Sequence, residues 1–286
     1  TLFGEKVVLR LLNSNQITLS IYQLGLNKQQ QTIFIDAISR SQGMILVTGP
    51  TGSGKTVTLY SALTYLNNSE KNISTVEDPV EIRLNGINQV NINHKIGLDF
   101  STVLRAFLRQ DPDIIMIGEI RDRETANIAI QASQTGHLVL STFHTNSAVE
   151  TITRMRAIGI PSWTIAESVS LIVAQRLLRR LCNECKIPEE ISLYTDLQTG
   201  EPIETDYIYR ANGCLKCTKG YQDRIAIYEC LPISDHIHQL IHAETNSHHL
   251  LTQAKQQGFS TLREQAIEYV INGTTSLAEI NRVLQA

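Results

Sequence analysis

The chain lacks any apolar run approaching the ~18 residues that a membrane-spanning helix needs, so none is expected. It also lacks an excess of either charge. Lys and Arg number 25 against 28 Asp and Glu, a net of −3. That balance provides no broad basic field for general nucleic-acid binding. No internal repeat or low-complexity tract is present. The first residues, Thr1-Leu-Phe-Gly-Glu-Lys6, carry neither a Met start nor a secretory signal pattern. They read as entering a strand, Val7-Val-Leu-Arg-Leu-Leu12, and upstream residues of a longer protein are expected. Cysteine is scarce, five in 286 residues, so its placement is informative. Hydrophobic residues make up 42% of the chain, enough for a real core in one large or two modest domains.

The densest signal is the run Gly49, Pro50, Thr51, Gly52, Ser53, Gly54, Lys55, Thr56, which fits G-x-x-x-x-G-K-[ST] at every position. It follows the apolar run Met44-Ile-Leu-Val-Thr48 and opens the helix-like stretch Thr56 to Leu63. Strand, glycine loop and helix together are the context of a phosphate site. Glycines let the backbone take positive φ and turn its N–H groups toward phosphate oxygens. The helix start adds partial positive charge. Lys55 is the expected cation for the β- and γ-phosphates and Thr56 the expected hydroxyl for Mg²⁺. The pattern implies a nucleoside triphosphate site.

Residues 1–12 read as the end of a truncated N-terminal domain, 13–27 as a linker and Lys28 to Arg40 as a helix. Further strands are expected at Asn72–Glu77, Asp113–Gly118 and His137–Thr142, with a helix over Arg123–Thr135. Alternating strand and helix implies a doubly wound, mostly parallel α/β sheet. From about Ser147 the pattern reads as mostly helical, and 234–286 as a helical tail. Glu77 and Glu119 close two of the strands at their carboxyl ends, where ligands bind in open α/β sheets. They are candidates for orienting water and organising Mg²⁺. Arg105, Arg109, Arg121 and Arg123 are near in sequence, either as partners of a γ-phosphate or as surface ion pairs. His137 and His144 flank the last strand, either packed in the core or sensing the γ-phosphate.

Cys182-Asn-Glu-Cys185 and Cys214-Leu-Lys-Cys217 form two C-x₂-C pairs, separated by the twenty-eight residues Lys186 to Gly213. That spacer exceeds the usual ~15–20 of the zinc ribbon pattern. Four thiolates would leave no open position, so a structural Zn²⁺ is expected, with disulfides or free thiols as the alternatives. Cys230 reads as a buried thiol.

These segments, in this order, resemble the secretion and type IV pilus assembly ATPases of the GspE/PilB family over nearly the whole chain. Gly4 to Leu12 is similar to the end of the family's second, PAS-like N-terminal domain. Gly49–Thr56 matches the phosphate loop, Ser74–Glu81 the Asp box, Leu108–Asp122 the Walker B segment with Glu, and Thr135–Ser147 the His box. Ala174-Gln-Arg-Leu177 and the four cysteines resemble the zinc subdomain of assembly members, which related retraction ATPases lack. The resemblance implies a RecA-like P-loop core over 28–180, a zinc subdomain with its following strand over 181–233, and ATP, Mg²⁺ and Zn²⁺ as cofactors. It implies that Glu77 positions water, Glu119 organises Mg²⁺, and His137 or His144 lies near the γ-phosphate. Arg10, Arg105, Arg109, Arg121 and Arg224 fall on the family's arginine positions, Arg10 reaching the nucleotide only when the N-terminal domain closes. Asp223 stands where the family carries Gly. A homo-hexamer at the cytoplasmic face of the inner membrane, driving a platform protein, is implied. A nucleic-acid translocase and an ATP-binding scaffold are the competing readings. An ABC transporter ATPase is excluded by the absence of a Leu-Ser-Gly-Gly-Gln segment.

Overall fold

The computed structural model describes residues 2–7, 20–190, 194–195, 202–203, 205 and 207–284. The strands are β1 (Gly43–Thr48), β2 (Ile73–Glu77), β3 (Asn88–Asn91), β4 (Ile114–Ile117), β5 (Leu138–Phe143), β6 (Val169–Leu181), β7 (Ile187–Glu190), β8 (Tyr194–Thr195), β9 (Pro202–Ile203), β10 (Tyr207–Arg210) and β11 (Tyr221–Pro232). The helices are α1 (Lys28–Ile38), α2 (Lys55–Leu66), α3 (Phe100–Phe107), α4 (Arg123–Gln134), α5 (Ala148–Ala157), α6 (Ser162–Ser168), α7 (Asp235–His242), α8 (Ser247–Gln256), α9 (Leu262–Ile271) and α10 (Leu277–Leu284).

Seven strands form one sheet in the order β11-β6-β1-β5-β4-β2-β3. Every neighbouring pair is parallel except β6 with β11 at one edge. Parallel neighbours require crossover segments on the faces, which buries the strands on both sides. The apolar runs of the sequence supply side chains for both. On β1, Met44 and Leu46 join one core cluster while Ile45 and Val47 join the other. Ile115 and Ile117 on β4 alternate in the same way with Ile114 and Met116. Helices start where side chains cap them: Asn27 accepts from Gln30 N, Asp99 from Thr102 N, Asp122 from Thr125 N and Ser147 from Glu150 N. This is the expected α/β ATPase fold, RecA-like, with the phosphate-loop strand in the middle of the sheet.

Three regions differ from the sequence-based expectation. The helical reading after Ser147 holds only to Ser168, because β6 begins at Val169. Its residues Val169–Val173 are fully buried and complete the open side of β1. Tertiary pairing there overrides local pattern. The short strand β3, polar and partly exposed, has no hydrophobic alternation to reveal it. The boundary placed near 180 falls at the end of a continuous strand. β6 and β11 pair from Leu171 opposite Pro232 out to Leu181 opposite Tyr221. The strand after the cysteines is therefore part of the central sheet. Helices α7–α10 bury Ile237, Ile241, Leu250, Leu262, Val270 and Ile280 in the cluster that holds Met44 and Leu46.

At the amino end, the expected strand over 7–12 lies outside the described residues apart from exposed Val7. Of the expected linker, residues 20–27 are packed rather than free. Ile21 and Leu24 are buried, and the Leu24 carbonyl accepts from Tyr228 Oη at 2.8 Å.

Candidate functional site

The loop between β1 and α2 needs its glycines for stated reasons. Gly52 and Gly54 sit at φ 80° and 92°, in the left-handed region. Gly49 is needed for space: a Cβ there would lie 2.5 Å from the Gln175 carbonyl oxygen and 2.6 Å from Ser53 Oγ. Ser53 is buried, and its hydroxyl has no hydrogen-bond partner among the described residues. Lys55 Nζ donates to the carbonyls of Gly49 at 2.7 Å and Pro50 at 3.0 Å. Burial lowers the Lys55 pKa, Glu119 opposes that shift, and the nearby Arg176 charge adds to it.

The two candidate acids meet this loop at the carboxyl edge of the sheet. Glu77 is the last residue of β2 and is only 4% exposed. Its Oε2 accepts from Tyr60 Oη, and its Oε1 accepts from Thr75 Oγ1 at 2.6 Å and Gln89 Nε2 at 3.3 Å. Glu119 follows β4 by two residues. Arg121 pairs with its Oε1, and His144 Nε2 lies 3.3 Å from its Oε2. The bond to Glu119 raises the Arg121 pKa. A cavity of about 670 Å³ is lined by Thr51, Gly52, Gly54, Lys55, Thr56, Pro79, Glu81, Glu119 and His144. A smaller recess of about 100 Å³ is lined by Thr56, Tyr60, Glu77, Gly118, Glu119 and Thr142. The two share Thr56, Pro79, Glu81, Gly118, Glu119 and Thr142. A roomier cavity, about 890 Å³, lies at the opposite edge of the sheet beside Arg40, Gly43 and Trp163. It contains none of the expected site residues, and the chemistry belongs to the carboxyl edge.

The other expected residues divide. His144 stands just past the carboxyl end of β5 and joins Glu119. His137 precedes β5, where its carbonyl accepts from Gly43 N at the start of β1 and its Nδ1 lies 3.0 Å from the Ala132 carbonyl. That is the far end of the strand, ~20 Å from the loop at 3.3 Å per residue. The expectation that His137 lies near the γ-phosphate is therefore corrected: it fastens the α4–β5 turn. Arg105 on α3 is ion-paired with Glu124 at 2.5 Å, and exposed Arg109 follows the same helix. Neither lines the cavity. Arg123 packs against Gly159. Arg10 lies outside the described residues. Arg224 is exposed on β11 beside an irregularity in register, and Asp223 takes φ 64° there. Asp tolerates that left-handed conformation better than most residues.

Residues not assigned a role from the sequence also build the site. Arg176 is buried, and its guanidinium donates to the Gln175 and Asn146 carbonyls and to Asn146 Oδ1 at 2.9–3.0 Å. It thereby ties the segment after His144 to the floor of the phosphate loop. Tyr60 holds Glu77. Its signal was available: it lies four residues after Thr56, on one face of the expected helix.

The four paired cysteines converge beyond the end of β6. Their sulfurs all lie within 4.8 Å of one another, with Cys182–Cys214 at 3.9 Å, Cys185–Cys217 at 3.7 Å and Cys214–Cys217 at 3.6 Å. A tetrahedron with Zn–S of about 2.3 Å has edges of about 3.8 Å, whereas a disulfide would need about 2.05 Å. Backbone N–H groups of Gly213 and Cys214 point at the sulfurs of Cys185 and Cys217, each at 3.3 Å. The donor set fits a closed, structural Zn²⁺ and does not fit disulfides.

Residues 1–282 match the family described as "Type II/IV secretion system protein". The chain is 51% identical to the type IV pilus assembly ATPase PilB of Acinetobacter baylyi, over 99% of this chain and 50% of that protein. It is 46% identical to the type II secretion system ATPase E of Vibrio cholerae, over 98% of this chain and 56% of that protein. The chain thus spans about half the length of the curated relatives it matches. Among solved structures, the pilus retraction motor PilT with bound ADP superposes with a TM-score of 0.69 at 28% identity, over 92% of this chain and 66% of that one. The Legionella pneumophila ATPase DotB shares the fold, with a TM-score of 0.66 at 22% identity over 93% of this chain and 65% of that one. With the family match running through nearly the whole chain and relatives alike at about half their aligned positions, the chain belongs to the type II/IV secretion system protein family, the GspE/PilB group of ATPases.

Proposed function

We propose that this chain is the catalytic part of a ring-forming motor that hydrolyses ATP to power assembly of a type IV pilus or a secretion pseudopilus. The observation that carries the reading is that Glu77 and Glu119 face adjoining recesses that share Thr56 at the base of the phosphate loop. Loop N–H groups and Lys55 would hold the phosphates; Lys55 would exchange its bonds to Gly49 and Pro50 for them. Thr56 and Glu119 would hold Mg²⁺, which when bound supplies charge neutralisation on the β- and γ-phosphates. Glu77 would orient the attacking water. A carboxylate offers about four lone-pair sites, and three are occupied by Tyr60, Thr75 and Gln89. The recess beside it, about 100 Å³, has room for water, whose share of liquid volume is about 30 Å³. His144, through Glu119, would report on the occupancy of the site.

The arginines support the ring. Arg105, Arg109 and Arg224 are exposed and away from their own cavity. Arginines so placed are available to a neighbouring subunit's nucleotide, as in motors completed in trans. We take the assembly to be a homo-hexamer at the cytoplasmic face of the inner membrane, acting on a platform protein there. Among the described residues no helix is long and apolar enough to cross a membrane. Steady-state hydrolysis of Mg²⁺-ATP across a range of protein concentration tests the reading. Turnover per subunit should rise with concentration and vanish in Lys55→Ala and Glu77→Gln. Nucleotide binding without turnover in the full-length chain would instead establish a scaffold. Stimulation by duplex DNA would favour a translocase.

A further inference from the structure

The geometry points to Tyr60 as a positioning residue for hydrolysis, the group that aims the Glu77 carboxylate at the attacking water. The inference rests on the proposed role of Glu77 and deepens it.

Tyr60 is fully buried on α2, the helix whose first two residues are Lys55 and Thr56. Residues four apart share a helix face, so Thr56 and Tyr60 both turn toward the ends of β2 and β4 and line the same recess. One rigid element thus carries the phosphate cation, the metal hydroxyl and the anchor of the acid. The Tyr60 hydroxyl also has its direction set. Its oxygen accepts from Glu81 N at 3.3 Å, and its hydrogen is donated to Glu77 Oε2. Burial first, then the bond to Glu77, raises the Tyr60 pKa strongly, so the hydroxyl stays protonated and remains a donor at working pH.

The remaining donors complete a clamp. Thr75 Oγ1 and Gln89 Nε2 hold Oε1. Gln89 also donates to the Ile82 carbonyl and accepts from Leu84 N at 2.7 Å. The same polar set therefore fixes the carboxylate and the segment after it, including Pro79 and Glu81 on the cavity wall. A purely structural buried acid needs only satisfied oxygens. This one is satisfied from the side of α2 and of its own sheet while its recess is open toward Thr56 and Glu119. A loss of aim at a reacting centre can cost about 10²-fold in rate without loss of binding.

The test measures kcat for ATP and the affinity for ADP in the wild type, Tyr60→Phe, Thr75→Val and Glu77→Gln, with a thermal melt of each. Tyr60→Phe keeps the ring and removes only the donor. Its kcat should fall about 10- to 100-fold, with ADP affinity within twofold of wild type. A Tyr60→Phe protein that melts normally and turns over at the wild-type rate overturns the inference. So does a loss of rate matched by an equal loss of ADP affinity. If Tyr60→Phe does not fold, Thr75→Val carries the same pair of expectations for the clamp. Glu77→Gln separates the two levels. Lost turnover there with an unaffected Tyr60→Phe sinks only the clamp, whereas wild-type turnover in Glu77→Gln sinks the role of Glu77 as well.

Discussion

The nucleotide site and the cysteine site place their polar groups by opposite means. At the carboxyl edge of the sheet, Lys55, Glu77, Glu119 and His144 come from four separate stretches, brought together by the order β1-β5-β4-β2. The result is an open cavity of about 670 Å³. At the tip of the β6–β11 hairpin, two local pairs close on each other with sulfurs within 4.8 Å. The first arrangement depends on the whole fold and leaves room for a reactant. The second depends on two short turns and leaves none. An open site assembled by topology is suited to chemistry, and a closed one assembled locally is suited to holding chain together.

The contrast breaks most visibly if the two sites fail together. Lys55→Ala should lower ATP turnover at least ~100-fold while leaving one equivalent of zinc per chain, read by hydrolysis assay and metal analysis. The reverse experiment is chelation or Cys217→Ser. It should release the metal and raise hydrogen exchange over residues 182–217, with ADP affinity and protection of β1 retained. Loss of ADP binding on gentle zinc removal would join the two sites into one unit.

Smaller effects sharpen the comparison. Gly49→Ala must displace the Gln175 carbonyl or Ser53, and overpacking of this kind costs about 1–3 kcal/mol. It should lower Tm by several degrees and weaken ADP binding, leaving zinc content unchanged. The hairpin carries a pH signature near its tip. Fully buried Glu279 bonds Arg179 and Arg282. Burial alone would raise its carboxyl pKa, but those guanidinium groups and Arg179 N hold it at about 2, below its ordinary 4.5. The stability it adds is complete above pH 4.5 and is lost as pH falls toward 2. Acid unfolding should show this, and Glu279→Gln should remove that window. Least of all, Arg105→Ala should change monomer stability by less than ~1 kcal/mol, because the Arg105–Glu124 pair is exposed. A large loss of turnover in that variant would instead mark Arg105 as serving a neighbouring subunit.

What could be read in advance follows the same division. The phosphate loop and the cysteine pairs are contiguous in the chain, and both were legible from spacing. Glu77 and Glu119 were legible because each closes a strand-like stretch at its carboxyl end. The histidines were not separable, since His137 and His144 bracket one strand and only its direction in the sheet assigns them to opposite edges. β6 is not separable in the sequence because residues 162–181 contain no Gly or Pro break, so periodicity alone does not say where α6 stops and pairing with β1 begins. Spacing puts Tyr60 on the Thr56 face of the helix, but its contact with Glu77, like that of Arg176 with Asn146, is made across the fold.

One strand connects the two sites. Gln175 and Arg176 lie under the phosphate loop, and Cys182 follows on the same continuous backbone, ~20 Å away at ~3.3 Å per residue. β11 stiffens that span along its length. The hairpin has the form of a lever arm whose fulcrum is the floor of the nucleotide site. A tilt of ~5° at the fulcrum would sweep the cysteine cluster through ~2 Å, given that arm length, so a small rearrangement around a phosphate would be enlarged at the cysteine tip.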